Sequence, residues 1–396
     1  MKNQLPKGFS FLLASLTAIS PFAIDAYLPA IVRISDHYST ALSNVELTLT
    51  LYLIGLSVGQ LVGGPLSDRY GRKIMINTGL LIYITFSLAV AFAPSIEWLW
   101  FFRVLQAVGG GFAIVNMGAI VRDNFEGRKS AQVLSFVAMI MMVAPLIAPT
   151  VGTLILSYFS WHYIFFFLAG YASMVLVWIQ LLPETSPKTK DQNPVQDYLS
   201  VISNPIAFFL AMTAAFTMSG MFVFITKSSF IYMDYFGLNK DYFTLFFAMN
   251  VAMLMLFNRA NISLLKRFDR KTLVLAGSII QVSSAVILSL NAGFNGASLV
   301  VTVLFLMTFV GSLGFVFGNI ISLVLGLFPK FSATANAVIG VMGFATSSVM
   351  GTLAATLLHP ELLYPVFVFM IMTAALALSC FLYAKAKISA LRIQEV

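Results

Sequence analysis

Residues 67–73 read SDRYGRK, a short charged turn held between two long apolar runs, 44–66 and 74–93. Each run is long enough to cross a hydrocarbon core of roughly 30 Å as a helix. The arrangement recurs. LKRFDRK, 265–271, stands between the apolar runs 242–264 and 272–291, 198 residues further on, which is half of the 396-residue chain. A basic loop alone is a weak match, but its place at the same point of each half indicates duplication.

Composition carries the same reading outward. The chain is 59% hydrophobic and only 10% charged, with a mean hydropathy of +0.92. A soluble domain carries roughly 25% charged residues, so an ordinary water-facing surface is excluded and the fold class is an all-α polytopic membrane protein. A membrane barrel would alternate polar and apolar residues instead of running apolar for about 20. The punctuation gives twelve spans: 8–32, 44–66, 74–93, 97–121, 130–156, 161–182, 205–233, 242–264, 272–291, 297–325, 334–357 and 362–384. The first follows Lys2 and Lys7 directly but is too long for a signal-peptide core. Cys380 is the single cysteine, and His37, His162 and His359 show no ligand spacing, so no metal site is expected.

Of the 23 Lys and Arg, 19 fall on the side of the membrane that holds the N-terminus, and only Arg33 and Lys240 on the other. By the positive-inside rule both termini are cytoplasmic. This asymmetry accounts for the net charge of +8 without a nucleic-acid partner. The most polar connection, PETSPKTKDQNPVQDY (183–198), reads as a flexible linker. The expected organisation is a six-helix bundle over 1–186, a cytoplasmic linker over 187–204 and a second six-helix bundle over 205–396. Paired six-span repeats are an architecture of secondary transporters, with the substrate bound where the repeats meet.

Three motifs now bear on the family. GGPLSDRYGRK (63–73) matches the pattern G-x-L-x-D-R-x-G-R-K, RVLQAVGGG (103–111) matches R-x-x-Q-G with Ala107 in place of the last Gly, and APLIAPTVG (144–152) is similar to the helix-five antiporter motif. With AIDAYLPAI and SWHYIFFFLAG they resemble the major facilitator superfamily, and within it the bicyclomycin and chloramphenicol resistance (Bcr/CflA) group. The resemblance implies a twelve-helix drug:proton antiporter of the bacterial inner membrane, without cofactor and monomeric, whose partners are a small-molecule substrate, protons and the lipid bilayer. Its specific motifs lie almost entirely within 20–170.

Gating residues follow from these motifs. Gly64 and Gly71 permit tight backbone geometry, Pro65 is expected to end the second helix, and Asp68, Arg69, Arg72 and Lys73 alternate in charge. The bland reading is a topology determinant. The sharper one is a latch in which Asp68 caps a helix of the other half or pairs with Arg122. In the fifth span Pro145 and Pro149 bend the helix, and Gly152 lets a neighbouring backbone approach. The resemblance implies that this bend seals one half against the other.

Ionisable residues inside spans are functional candidates by default. Asp25, Arg103 and Lys227 all lie on the order of 10 Å below the outer end of their spans, at a rise of about 1.5 Å per residue. The resemblance places helices one, four, seven and ten around a central cavity. Asp25 with Arg103 is the expected proton-coupling pair, burial favouring the neutral acid and Arg103 the ionised one. A static Asp25–Arg103 pair, and a Lys227 that snorkels to the headgroups, are the structural alternatives. Gln106 and Asn116 are candidates for orienting substrate. Among 37 Phe and 14 Tyr, Tyr27, Phe222 and Phe317 are offered as wall residues. Pro21 and Pro29 bracket Asp25, and neither can donate to the helix carbonyl four residues back, so the backbone around the carboxylate is loosened.

The expected function is proton-driven export of a small amphipathic molecule or drug. One alternative is a dedicated exporter of a metabolite such as a siderophore or nucleoside, favoured by a site charge of +1 from Asp25, Arg103 and Lys227. A receptor or intramembrane enzyme is the remote alternative. No acidic cluster for a diphosphate and no phosphate-binding glycine loop occurs, which argues against an enzyme and against ATP as the energy source.

Overall fold

The computed structural model describes residues 8–124, 127–181, 194–293, 296–328, 332–357 and 362–394. Twelve long helices fill them. They are α1 Phe9–Tyr38, α2 Leu42–Tyr70, α3 Arg72–Ala91, α4 Ile96–Ile114 with its continuation Asn116–Asn124, α5 Gly127–Tyr158 and α6 His162–Ile179. Then come α7 Pro205–Tyr235, α8 Lys240–Leu264, α9 Arg270–Gly293, α10 Leu299–Leu327, α11 Ser332–Leu357 and α12 Leu363–Gln394. Eleven are long and apolar enough to cross a membrane, and in α5 the apolar stretch is Val143–Tyr158. A backbone in lipid must satisfy its own polar groups, which a helix does within itself. The all-α, twelve-helix expectation holds.

The chain forms two compact units, Met1–Gln192 and Asn193–Val396. In the first, α4 packs between α2 and α3, α1 packs on α5, and α3 on α6. In the second, α7 packs on α11 and α12, and α10 takes the place that α4 has in the first, against α8 and α9. Large apolar side chains such as Val58, Leu61, Phe101, Leu154 and Val177 stand exposed, as a lipid-facing surface requires.

The halfway repeat is visible at residue level. Gly79 and Gly277 are also 198 positions apart. A Cβ on Gly79 would come within 2.6 Å of the Gly109 carbonyl of α4, and one on Gly277 within 2.8 Å of Phe315 of α10. Each unit also carries a polar strut on its central helix. Asn116 of α4 receives the Ser67 hydroxyl of α2, and Asn319 of α10 donates to Asn261 of α8 at 2.8 Å.

Three local expectations change. Pro65 does not end α2, which runs on to Tyr70 with the proline inside it. Proline removes one donor and bends a helix, but leaves the following carbonyls free to continue it. The residues 194–203, expected within the linker, form a short helix, Pro194–Ser203. Linker residues 187–193 lie outside the described residues. The first span is not one regular helix. Its α-helical part stops at Asp25, a single 3-10 turn covers Leu28–Ala30, and α-helix resumes over Ile31–Tyr38.

Candidate functional site

The break in α1 is built by Pro29. It cannot donate to the Asp25 carbonyl, and the chain tightens so that Ala30 donates to Tyr27 at 2.9 Å. Gly152 of α5 is seated on this break. A Cβ there would lie 2.1 Å from the Ala26 carbonyl oxygen and 3.1 Å from Pro29 Cγ. The antiporter-motif glycine therefore packs within the first unit, against the turn that follows Asp25. Pro149 is buried and Pro145 half-buried, both inside an unbroken α5. Arg33 clips the outer segment of α1 to the same helix, donating to the Leu156 carbonyl at 2.9 Å.

Arg103 is 0% exposed and lies at the centre of the unit. Its Nη1 donates to Gln106 Oε1 at 2.9 Å and its Nη2 to the Ala23 carbonyl of α1 at 3.1 Å. The guanidinium carbon sits 4.9 Å from the Tyr27 ring, 4.5 Å from Tyr52 and 5.7 Å from Phe165. Gln106 passes the network on, donating to Ser87 of α3 at 2.7 Å. Tyr27 accepts from Thr48 of α2 at 3.0 Å, and Ser20 and Tyr52 are 3.3 Å apart. One cation thereby ties α1, α2, α3, α4 and α6 together, with aromatic faces supplying much of its solvation.

The expected Asp25–Arg103 pair is not formed. Asp25 is 4% exposed and has no ion-pair or hydrogen-bond partner among the described residues. Helical azimuth explains it. Successive helix positions turn by about 100°, so Tyr27, whose ring lies 4.9 Å from the guanidinium, is about 200° around α1 from Asp25. Equal depth brought the two charges to one level but on different sides of the helix. Arg103, Gln106 and Tyr27 form an internal clamp, and Asp25 points elsewhere. Asn116 is likewise engaged, with Ser67 and with the Phe112 carbonyl at 2.7 Å, and braces α4 on α2.

Lys227 is 2% exposed, with Nζ 6.0 Å from the Phe230 ring, so it is inside the protein and does not snorkel. A π-helical turn, Phe230–Tyr235, follows it, so α7 loses regular helix just past its charge as α1 does. Phe222 is buried, its ring 6.4 Å from Phe344 of α11. Phe317 is half-buried and packs on a core cluster that includes Val201, Ile206 and Ile320.

In the charged turn, Gly71 adopts φ 103°, a left-handed conformation that favours glycine, while Gly64 lies within α2. Arg72 donates to Ser67 at 3.1 Å, Lys73 to the Gln180 carbonyl of the first unit at 2.8 Å, and Arg69 lies 5.3 Å from the Tyr70 ring. The side chains of Asp68 and Arg122, on which the latch depends, lie outside the described set.

One ionisable residue escaped the sequence reading. Glu46 of α2 is 0% exposed. It falls near the start of its apolar run, where a charge reads as interfacial. With α2 beginning at Leu42, it is a full turn inside the helix.

Comparison with known proteins places this geometry. The model of the Major Facilitator Superfamily matches residues 13–355. A bicyclomycin resistance protein homolog of Haemophilus influenzae is 30% identical, over 90% of this chain and 91% of its own. The multidrug resistance protein MdtL of Klebsiella pneumoniae is 27% identical, over 87% and 88% respectively. Among solved structures, a D-xylose-proton symporter superposes with a TM-score of 0.75 at 16% identity, covering 95% of this chain and 97% of its own. The chain belongs to the Major Facilitator Superfamily.

Proposed function

We propose that this protein is a proton-coupled secondary transporter that exports small amphipathic molecules or drugs by alternating access. It is taken to lie in a bacterial inner membrane with both termini cytoplasmic, to act as a monomer and to need no cofactor. The observation that carries the reading is Asp25, a buried carboxylate with no ion-pair partner among the described residues, at the point where α1 ceases to be regular helix. An apolar setting makes a carboxyl group cheaper to hold protonated, and access to water makes it cheaper to hold ionised. A carboxyl beside a deformable turn is placed to meet both settings in one cycle, taking a proton on one side and releasing it on the other. Arg103 supports this role indirectly, by fixing the helix that presents Asp25.

The metabolite-exporter alternative loses its main support. It rested on a site charge of +1 that included Arg103. Arg103 is spent inside the first unit, on Ala23 and Gln106, and no longer counts toward it. The test is reconstitution in liposomes with an internal pH dye. Adding a transported drug should move protons opposite to the drug, and proton movement indifferent to every drug tried refutes the exporter. The latch is tested alongside: Asp68→Asn should lower transport with membrane insertion intact, and normal transport by this variant refutes it.

A further inference from the structure

The repeat relates α8 to α2, and it breaks in character at Arg259. Leu256 and Arg259 stand 198 positions after Val58 and Leu61. Val58 is 45%, Leu61 47% and Leu256 61% exposed, and Arg259 is exposed with them. The place that holds an exposed leucine in the first unit therefore holds an exposed arginine in the second. Leu256, Arg259, Ile262 and Lys266 follow one another at intervals of three and four residues, so they share one face of the helix. All four are exposed. Helical hydrogen bonding carries on past Leu264, with Leu265 donating to Asn261 and Phe268 to Leu264, each at 2.9 Å, so Lys266 continues the line.

The cations at this end of each unit are also used differently. In the first unit Arg72 donates to Ser67 and Lys73 to the Gln180 carbonyl. In the second, Arg259, Lys266 and Arg267 make no side-chain hydrogen bond or ion pair among the described residues. Asp269 is the only acidic residue between Asp241 and Glu361, and it is committed to Thr272. Basic side chains at the end of a span ordinarily reach into the headgroup layer. Arg259 starts deeper, five residues or about 7.5 Å inside the end of α8, with the exposed Leu256 and Ile262 on either side of it. A guanidinium at that level is cheapest to hold when it meets an anion, and its planar fork matches two oxygens of a phosphate. A phospholipid supplies that phosphate and, on the same face, acyl chains for Leu256 and Ile262 to pack against.

We infer that the exposed face of α8 around Arg259 binds the headgroup of an anionic phospholipid, with Lys266 and Arg267 adding positive charge beside the phosphate. The orientation proposed above makes this a lipid of the cytoplasmic leaflet. In the test, the full chain in neutral detergent is titrated with phosphatidylglycerol, which carries a net negative charge, and with phosphatidylcholine of the same acyl chains, which does not. Bound lipid is counted by native mass spectrometry. Wild type should prefer phosphatidylglycerol. Arg259→Leu, which repeats what the first unit has at Leu61, should lower that preference about tenfold, the scale of a lost charged contact, with phosphatidylcholine binding unchanged. No preference in wild type, or a preference that Arg259→Leu leaves intact, overturns the inference. Should Arg259→Leu fail to fold, Arg259→Lys, which keeps the charge but not the fork, and Lys266→Gln should each lower the preference. A preference unchanged in both overturns it as well. Glycerol 3-phosphate at the lipid's concentration should leave the lipid bound, and displacement by it would make this a site for soluble anions, against the assignment. These readouts involve no transport, so their failure leaves the exporter reading untouched.

Discussion

Replacing Arg103 separates a structural clamp from a coupling residue. The side chain makes two charged hydrogen bonds, to Ala23 and Gln106, and lies over two tyrosine rings within 5 Å. Taking about 1.5 kcal/mol for each bond and about 1 kcal/mol for each ring contact, loss of all four costs about 5 kcal/mol. Arg103→Met forfeits the whole of it and leaves the Ala23 and Gln106 oxygens without their donor. Arg103→Lys keeps the charge but not the fork, so it can serve one acceptor and one ring, and should cost about half as much. Thermal unfolding in detergent should therefore rank wild type above Lys and Lys above Met. Gradient-driven export per folded molecule should survive in Arg103→Lys. If Arg103→Met melts with wild type, or Arg103→Lys is stable yet exports without using the gradient, the clamp is refuted and Arg103 belongs to coupling after all.

Other expectations follow from single contacts. Gly152→Ala places a methyl 2.1 Å from the Ala26 carbonyl, so α5 must move off the α1 break. An overpacking cost of about 1–3 kcal/mol should appear as a lowered unfolding temperature together with reduced export, and wild-type behaviour in both would show the seat to be slack. Asp269 caps α9, accepting from the Thr272 amide at 3.0 Å and from its hydroxyl, bonds that hold its carboxyl below the usual carboxylate range. A depressed folded-state value means that this support is present above roughly pH 4 and is lost as pH falls through the folded value. Asp269→Ala should accordingly cost about 1 kcal/mol at neutral pH, and the gap from wild type in a melting series should close on acidification.

Much of the fold was legible because membrane spans are written in run length and punctuation, which need no tertiary knowledge. The charged turns at 67–73 and 265–271 marked the repeat that Gly79 and Gly277 later share. Proline chemistry was legible at Pro29, where it removed a donor beside Asp25, but misleading at Pro65, where the helix continued to Tyr70. The site was less legible because depth and azimuth are separate coordinates. Asp25 and Arg103 share a level, yet Tyr27, two residues away, is the side chain that meets the guanidinium. Aromatic cages such as Tyr27, Tyr52 and Phe165 leave no sequence signature, since nothing in the chain says which rings of many will converge. Glu46 was passed over because an apolar run does not reveal where its helix begins.

The central claim is that Asp25 converts a proton gradient into export, and Asp25→Asn in proteoliposomes tests it most directly. Gradient-free exchange of labelled for unlabelled drug serves in the same vesicles as the measure of folded, substrate-binding protein. The account predicts that Asp25→Asn keeps this exchange while an imposed pH gradient no longer accelerates export. Export by Asp25→Asn that still rises with the gradient, as in wild type, would contradict it.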